Sequence, residues 1–231
     1  MAVEAVIFDW GGTLTPWRSI DPVEEWRSVA RIAAPGDVEA VTLSLVAAAE
    51  TVWARSRDRH TSATLEEICA LAGIEHDEGH WTGYREFWEH ATVTDPEVPD
   101  LLGRLRGDGL KVGVLSNTVW PRAWHQEVFD RDGLAPLIDG AVYSSEIAWT
   151  KPAPQAFHAA MHAVGVTDPA ACVFVGDRLF DDIFGARNAG MRAVHLPHSD
   201  IPPSQVGHTL GEPDAVVQRL SEIPDVIAPW R

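Results

Sequence analysis

Val3-Glu4-Ala5-Val6-Ile7-Phe8 runs straight into Asp9-Trp10-Gly11-Gly12-Thr13-Leu14-Thr15. An apolar run that stops on a carboxylate and then meets two glycines reads as a buried strand with an acid at its carboxyl end and backbone N–H groups beside it. That placement can present a carboxylate as a nucleophile. Standing alone, Asp9 reads first as a turn or cap residue, so the interpretation rests on what accompanies it.

Three later segments carry complementary chemistry. Lys111-Val112-Gly113-Val114-Leu115-Ser116-Asn117-Thr118 is a second apolar run that ends in hydroxyl and amide donors, able to hydrogen-bond an anion. Ser144-Ser145-Glu146-Ile147-Ala148-Trp149-Thr150-Lys151-Pro152 delivers a lysine directly before a proline. Cys172-Val173-Phe174-Val175-Gly176-Asp177-Arg178-Leu179-Phe180-Asp181-Asp182 is a strand that ends on acids. One acid after a strand suits a helix cap; three, with Gly176 permitting close backbone approach, suit a cation site better.

The order, spacing and wording of these four segments, from residue 3 to about 196, resemble the haloacid dehalogenase superfamily of hydrolases. The resemblance implies an α/β fold with a Rossmann-like, mostly parallel sheet and an inserted helical cap, and for most members a magnesium-dependent phosphatase. It implies Asp9 and Lys151 as catalytic residues, the lysine pairing with Asp9 and binding the transferring group together with Ser116 and Asn117. It further implies Asp9, the backbone carbonyl of Gly11 and Asp177 as Mg²⁺ ligands, with Asp182 or its neighbour Asp181 reaching the ion or its waters.

The sequence departs from that pattern at Gly11. In the phosphatases of the superfamily a second aspartate stands there and protonates the leaving oxygen, which glycine cannot do; a positioned acid is typically worth about 10²–10⁴ in rate. Gly11 and Gly12 still leave N–H groups free to approach an anion. Thr15, His60, His76, His80 and His90 are candidate replacement acids. Alternative readings are a 2-haloacid dehalogenase, which uses the same nucleophile on carbon without metal, and a non-catalytic protein that binds a phosphorylated metabolite. Asp9-Trp10-Gly11 also resembles the first motif of the phosphonoacetaldehyde hydrolases. Their cap lysine is missing, since no lysine precedes Lys111.

Composition narrows the partners. The chain of 231 residues carries 18 basic and 34 acidic residues, a formal net charge of −16, which repels polyanions at long range. Nucleic acid is therefore excluded, and attraction of a small phosphorylated substrate must be local. No apolar run reaches membrane-spanning length and no basic leader precedes the first strand, so no membrane partner and a cytoplasmic location are expected. Cys69 and Cys172 lie in apolar patterns and read as reduced core residues.

Strands alternating with helical patterns predict a parallel α/β sheet. Between residues 17 and 94 no strand is predicted. Val38, Val41, Leu45, Ala48 and Val52 mark one helix face. Leu65, Ile68, Leu71 and Ala72, closed by Gly73, mark a second, and Trp81, Tyr84, Phe87 and Trp88 a third. Residues 17–94 are thus expected to be the cap, and residues 1–16 with 95–231 the core, re-entered through Asp95-Pro96-Glu97. Further strands are predicted at Ala141–Ser144, Cys172–Val175 and Ala193–Leu196, and helices at Val98–Leu110, Gln155–Val164, Phe180–Ala189 and Ala215–Leu220. The proline-rich tail from Pro197 carries no recognisable chemistry. Trp10, Trp17, Trp120 and Trp149 are apolar candidates for substrate contact beside the site.

Overall fold

The structure, a computed structural model, describes residues 2–197 and 208–231. Six strands form one parallel sheet: β1 (Ala5–Phe8), β2 (Lys111–Ser116), β3 (Gly140–Tyr143), β4 (Cys172–Gly176), β5 (Arg192–His195) and β6 (Ala215–Val216), in the order β3-β2-β1-β4-β5-β6. β1 is central, with Phe8 in register with Val114 on one side and Val175 on the other. Both faces of the sheet are covered, which is why its strands read as unbroken apolar runs. Val6, Phe8, Val114 and Val175 enter one core, and Ala5, Ile7, Leu115 and Phe174 the other.

Helices α1 (Pro22–Ala33), α2 (Val38–Arg59), α3 (Leu65–Ala72) and α4 (Trp81–Trp88) fall between β1 and β2. Asp21 caps α1 by accepting from the Val23 N–H at 2.8 Å, with Pro22 at the first helical position. Thr64 Oγ1 caps α3, and Gly73 closes it at φ +74. Leu45, Ala48 and Val52 of the expected α2 face are buried, as are Leu65, Ile68, Trp81 and Tyr84. Leu71 is not: it stands 53% exposed, because the buried stripe of α3 runs through Leu65, Ile68 and Cys69 instead. The chain leaves and rejoins the sheet side by side, the Asp95 N–H donating to the Leu14 carbonyl at 2.9 Å.

Beyond the insertion follow α5 (Val98–Gly107), α6 (Arg122–Arg131) and α7 (Pro154–Ala163). The helix expected over Phe180–Ala189 begins as a wide π-helical turn, Leu179–Phe184, and only then becomes α8, Gly185–Asn188. The Arg178 carbonyl accepts from both Asp182 and Ile183, at 3.1 and 3.2 Å, which opens the turn.

The tail corrects another expectation. Ala215 and Val216 are not helical but extend the sheet as β6, paired with Val194 and His195. Asp214 starts this pairing, its N–H donating to the Ala193 carbonyl and its carboxylate accepting from the Ala193 N–H, both at 2.8 Å. The helix comes later, as α9 (Ile223–Ile227). The tail reading over residues 198–207 lies outside the described residues.

Candidate active site

Parallel pairing places every strand's carboxyl end at one sheet edge, where a doubly wound fold opens its crevice. Asp9 follows β1, Ser116 ends β2 and Asp177 follows β4, so residues far apart in sequence converge there. The Asp9 N–H donates to the Val175 carbonyl at 2.9 Å, which ties the ends of β1 and β4 together.

Lys151 is the hub. Its Nζ donates to Asp9 Oδ1 and to Asp182 Oδ1, both at 2.6 Å, and the side chain is 3% exposed. Burial alone would pull this ammonium's pKa down, but the fields and hydrogen bonds of Asp182 and Asp9 outweigh it and raise the pKa above the ordinary lysine value. Asn117 holds the lysine's backbone at both ends. Its Oδ1 accepts from the Lys151 N–H at 2.8 Å and its Nδ2 donates to the Lys151 carbonyl at 3.0 Å. The amide expected to face an anion is therefore committed to clamping Lys151, while the buried Ser116 hydroxyl remains at the end of β2.

The acids gather around this lysine. One carboxylate oxygen from each of Asp9, Asp177 and Asp182 lies within 4.8 Å of the other two. Asp182 is fully buried, with Oδ2 accepting from the Arg178 N–H at 2.8 Å. Gly176 makes room for it, because a Cβ at that position would overlap the Asp182 carboxyl. Asp181 is less buried and outside the cluster. Burial raises the Asp9 carboxyl to about 6, with Lys151 pulling it down and Asp182 pushing it up. Burial, Asp182 and Asp9 raise Asp177 well above the usual carboxylate range. Both Asp177 carboxylate oxygens are buried and have no hydrogen-bond partner among the described residues. Three carboxylates facing one ammonium, one of them wholly unpartnered, form a hard oxygen donor set that fits a divalent cation.

The loop after β1 turns back tightly, with Thr13, Leu14 and Thr15 N–H groups all directed at the Trp10 carbonyl. Gly12, at φ +91, is the position that requires glycine. Gly11 has no positive φ, and a Cβ built there meets nothing within 4 Å. Its missing side chain leaves open space beside Asp9. Trp10 joins the site through its backbone, while its indole sits in the aromatic core against Trp120 and His125, with centroids 5.7 and 4.6 Å away. Trp120 is likewise buried, and Trp149 is 38% exposed.

The structure separates the candidate replacement acids. His60 ends α2 in the left-handed region at φ 54, its ring 6.3 Å from Phe180 and its carbonyl accepting from the Thr150 N–H at 3.0 Å. His76 pairs instead with Trp81 Nε1, and the Thr15 hydroxyl donates to the Trp10 carbonyl. Sequence reading missed the Asn117 clamp on Lys151 and the burial of Trp120. An asparagine directly after a buried strand is a signal for a side chain that satisfies neighbouring backbone groups, though it does not name the partner.

A family model for haloacid dehalogenase-like hydrolases matches residues 3–190. The chain belongs to this family. Among curated proteins it is similar to the glyceraldehyde 3-phosphate phosphatase of Methanopyrus kandleri, with 33% identity over 57% of this chain and 55% of that protein. The same-named protein of Methanothermobacter thermautotrophicus is 29% identical over 57% and 58%. The chain thus spans a little over half the length of these relatives. Among solved structures, a HAD phosphatase from Thermococcus onnurineus superposes with a TM-score of 0.68 at 21% identity, covering 98% of each chain. A 2-haloacid dehalogenase from Pseudomonas syringae pv. Tomato superposes at 0.65 and 23%, covering 99% of this chain and 100% of that one. Those two likenesses concern the haloacid dehalogenase fold alone.

Proposed function

We propose that this family member is a Mg²⁺-dependent phosphatase of a small phosphorylated metabolite. The observation that carries the reading is the buried Asp9–Lys151–Asp182 bridge with the unpartnered Asp177 carboxylate beside it. A second, unpaired carboxylate next to the nucleophile suits a cation site. The curated relatives named as phosphatases support the same choice.

In this reading an Asp9 carboxylate oxygen attacks phosphorus in line, the bond from phosphorus to the leaving oxygen breaks, and an aspartyl phosphate forms. Lys151 neutralises charge on the equatorial oxygens, Ser116 donates a hydrogen bond to one of them, and Asn117 keeps Lys151 in place. Mg²⁺ would be held by Asp9, Asp177 and Asp182, with the Gly11 carbonyl, and would neutralise charge between two anions that otherwise repel. Water then attacks phosphorus, inorganic phosphate leaves, and Asp9 is restored. Residues 17–94 serve as a helical cap over this edge, with residues 1–16 and 95–231 as the hydrolase core.

Gly11 sets the substrate class. With no acid beside the leaving oxygen, acyl and aryl phosphates are favoured over alkyl phosphates. The test is phosphate release from an aryl phosphate with Mg²⁺ and with chelator, using Asp9→Asn as control. Turnover that needs Mg²⁺ and vanishes in Asp9→Asn is expected. Gly11 is the one feature that favours a dehalogenase, and halide release from a 2-halo acid in chelator would establish that activity in place of the phosphatase.

A further inference from the structure

The insertion meets the core through a buried polar chain that the chemistry above does not use. Glu25 of α1 is 8% exposed, and its Oε1 accepts from the Tyr84 hydroxyl at 2.9 Å and from Trp88 Nε1 at 3.1 Å, both on α4. The Tyr84 oxygen in turn accepts from Trp120 Nε1 at 3.1 Å. Trp120 belongs to the loop after β2, four residues beyond Ser116. It is pinned there by its N–H to Thr118 Oγ1 at 3.0 Å and by its carbonyl accepting from Ser145 Oγ at 2.6 Å. Its ring packs 5.7 Å from that of Trp10, the residue after Asp9.

Proton direction along this chain is determined by Glu25. Burial and the neighbouring Glu25 hold the Tyr84 phenol well above its usual range, so it stays protonated. Burial raises the Glu25 carboxyl to about 7, and its Oε1 is the acceptor for both the Tyr84 hydroxyl and Trp88 Nε1. The Tyr84 proton therefore points to Glu25, and the phenol's lone pairs face the Trp120 indole. All three donors, Tyr84 OH, Trp88 Nε1 and Trp120 Nε1, are matched to acceptors in this arrangement. Among the described residues no arginine or lysine shares Glu25, which makes a salt-bridge role for the buried acid untenable; Tyr84 is the one titratable group that acts on it.

We infer that Glu25 is a positioning residue: through Tyr84 it fixes Trp120 against Trp10, and so aligns the Asp9 loop with the insertion above it. The effect on turnover rests on the phosphatase reading, while the alignment of Trp10 does not. Positioning matters because a displacement of about 1 Å at a reacting group can cost about 100-fold in rate.

The test compares wild type, Tyr84→Phe, Glu25→Leu and Glu25→Gln, each checked by thermal melt, through the indole N–H resonances of Trp10 and Trp120, assigned with Trp→Phe variants. Tyr84→Phe keeps the ring and removes only the bridging oxygen. It is expected to move both resonances and to lower kcat on an aryl phosphate by about 10- to 100-fold with KM within about twofold. Glu25→Leu should do the same. Glu25→Gln, whose amide oxygen still accepts, should restore both resonances and most of kcat. Unmoved Trp10 and Trp120 resonances in Tyr84→Phe, or a Glu25→Gln indistinguishable from Glu25→Leu, would overturn the inference. So would a Tyr84→Phe that turns over as wild type does. If wild type cleaves no phosphate ester, the phosphatase reading fails by itself and the resonances still decide the positioning role.

Discussion

At Gly11 the missing side chain has room to return, since its Cβ position is open and its backbone is not in the left-handed region. Gly11→Asp is therefore expected to fold normally and to raise turnover of alkyl phosphates selectively, by up to about 10²–10⁴, while aryl phosphates change little. A leaving-group series on both proteins checks this, and wild-type rates insensitive to leaving-group pKa would show that another group already donates the proton. Lys151 poses the opposite problem, because its side chain cannot leave cheaply. Lys151→Ala would strand the buried Asp9 and Asp182 carboxylates that it now pairs, a change worth about 3–5 kcal/mol. A drop of roughly 10 °C in the melting temperature without added metal is expected, alongside severe loss of turnover.

At the scale of elements, the loop after β1 and helix α6 make separable demands. Gly12 sits at φ +91, so Gly12→Ala should cost about 1–2 kcal/mol where Gly11→Ala costs almost nothing. Paired denaturant titrations of the two variants measure the difference. His125 of α6 is fully buried, stacked on Tyr143 with centroids 4.2 Å apart, and burial lowers its pKa to about 3. The folded state thus refuses a proton that the unfolded chain accepts near its ordinary value of 6.5. The stability associated with neutral His125 is complete above pH 6.5 and is lost as pH falls toward 3. His125→Phe, which keeps the stack, should flatten that part of the stability profile between pH 6.5 and 4 when unfolding midpoints are compared.

For the whole molecule, the cluster of Asp9, Asp177 and Asp182 has to reconcile like charges within a protein whose net charge is already −16. Burial and mutual repulsion raise the Asp9 and Asp177 pKa values above ordinary carboxylate values, so each favours the proton in the folded state. Without metal, this costs stability as pH rises from the unfolded carboxylate range through the folded values. A divalent cation must displace those protons, and its affinity therefore grows with pH. Mg²⁺ is expected to raise the melting temperature more at pH 8 than at pH 5.5, and Asp177→Asn to abolish most of that gain. An equal Mg²⁺ shift in wild type and Asp177→Asn would remove Asp177 from the cation site.

The parallel core was legible in sequence because its strands are buried on both faces and so appear as unbroken apolar runs ending at Asp9, Ser116 and Gly176. Most helices of the insertion were legible for a similar reason, since a 3.6-residue period survives in any packing. Helix α1 escaped notice although Asp21-Pro22 is a cap signature, as did α6, whose buried face mixes Trp124 and His125 with aliphatics. Short, wet elements were misread: Ala215–Val216 carries too few residues to show a period, and only pairing with β5 makes it a strand. The polar partnerships belonged to the tertiary structure alone. Whether Asn117 faces an anion or clamps Lys151, and whether Asp181 or Asp182 meets that lysine, depends on sub-ångström placement after β2, β4 and the π turn have come together. Hydrophobic burial is set by residue type and repeats along the chain, whereas a hydrogen bond depends on where its partner lies in space.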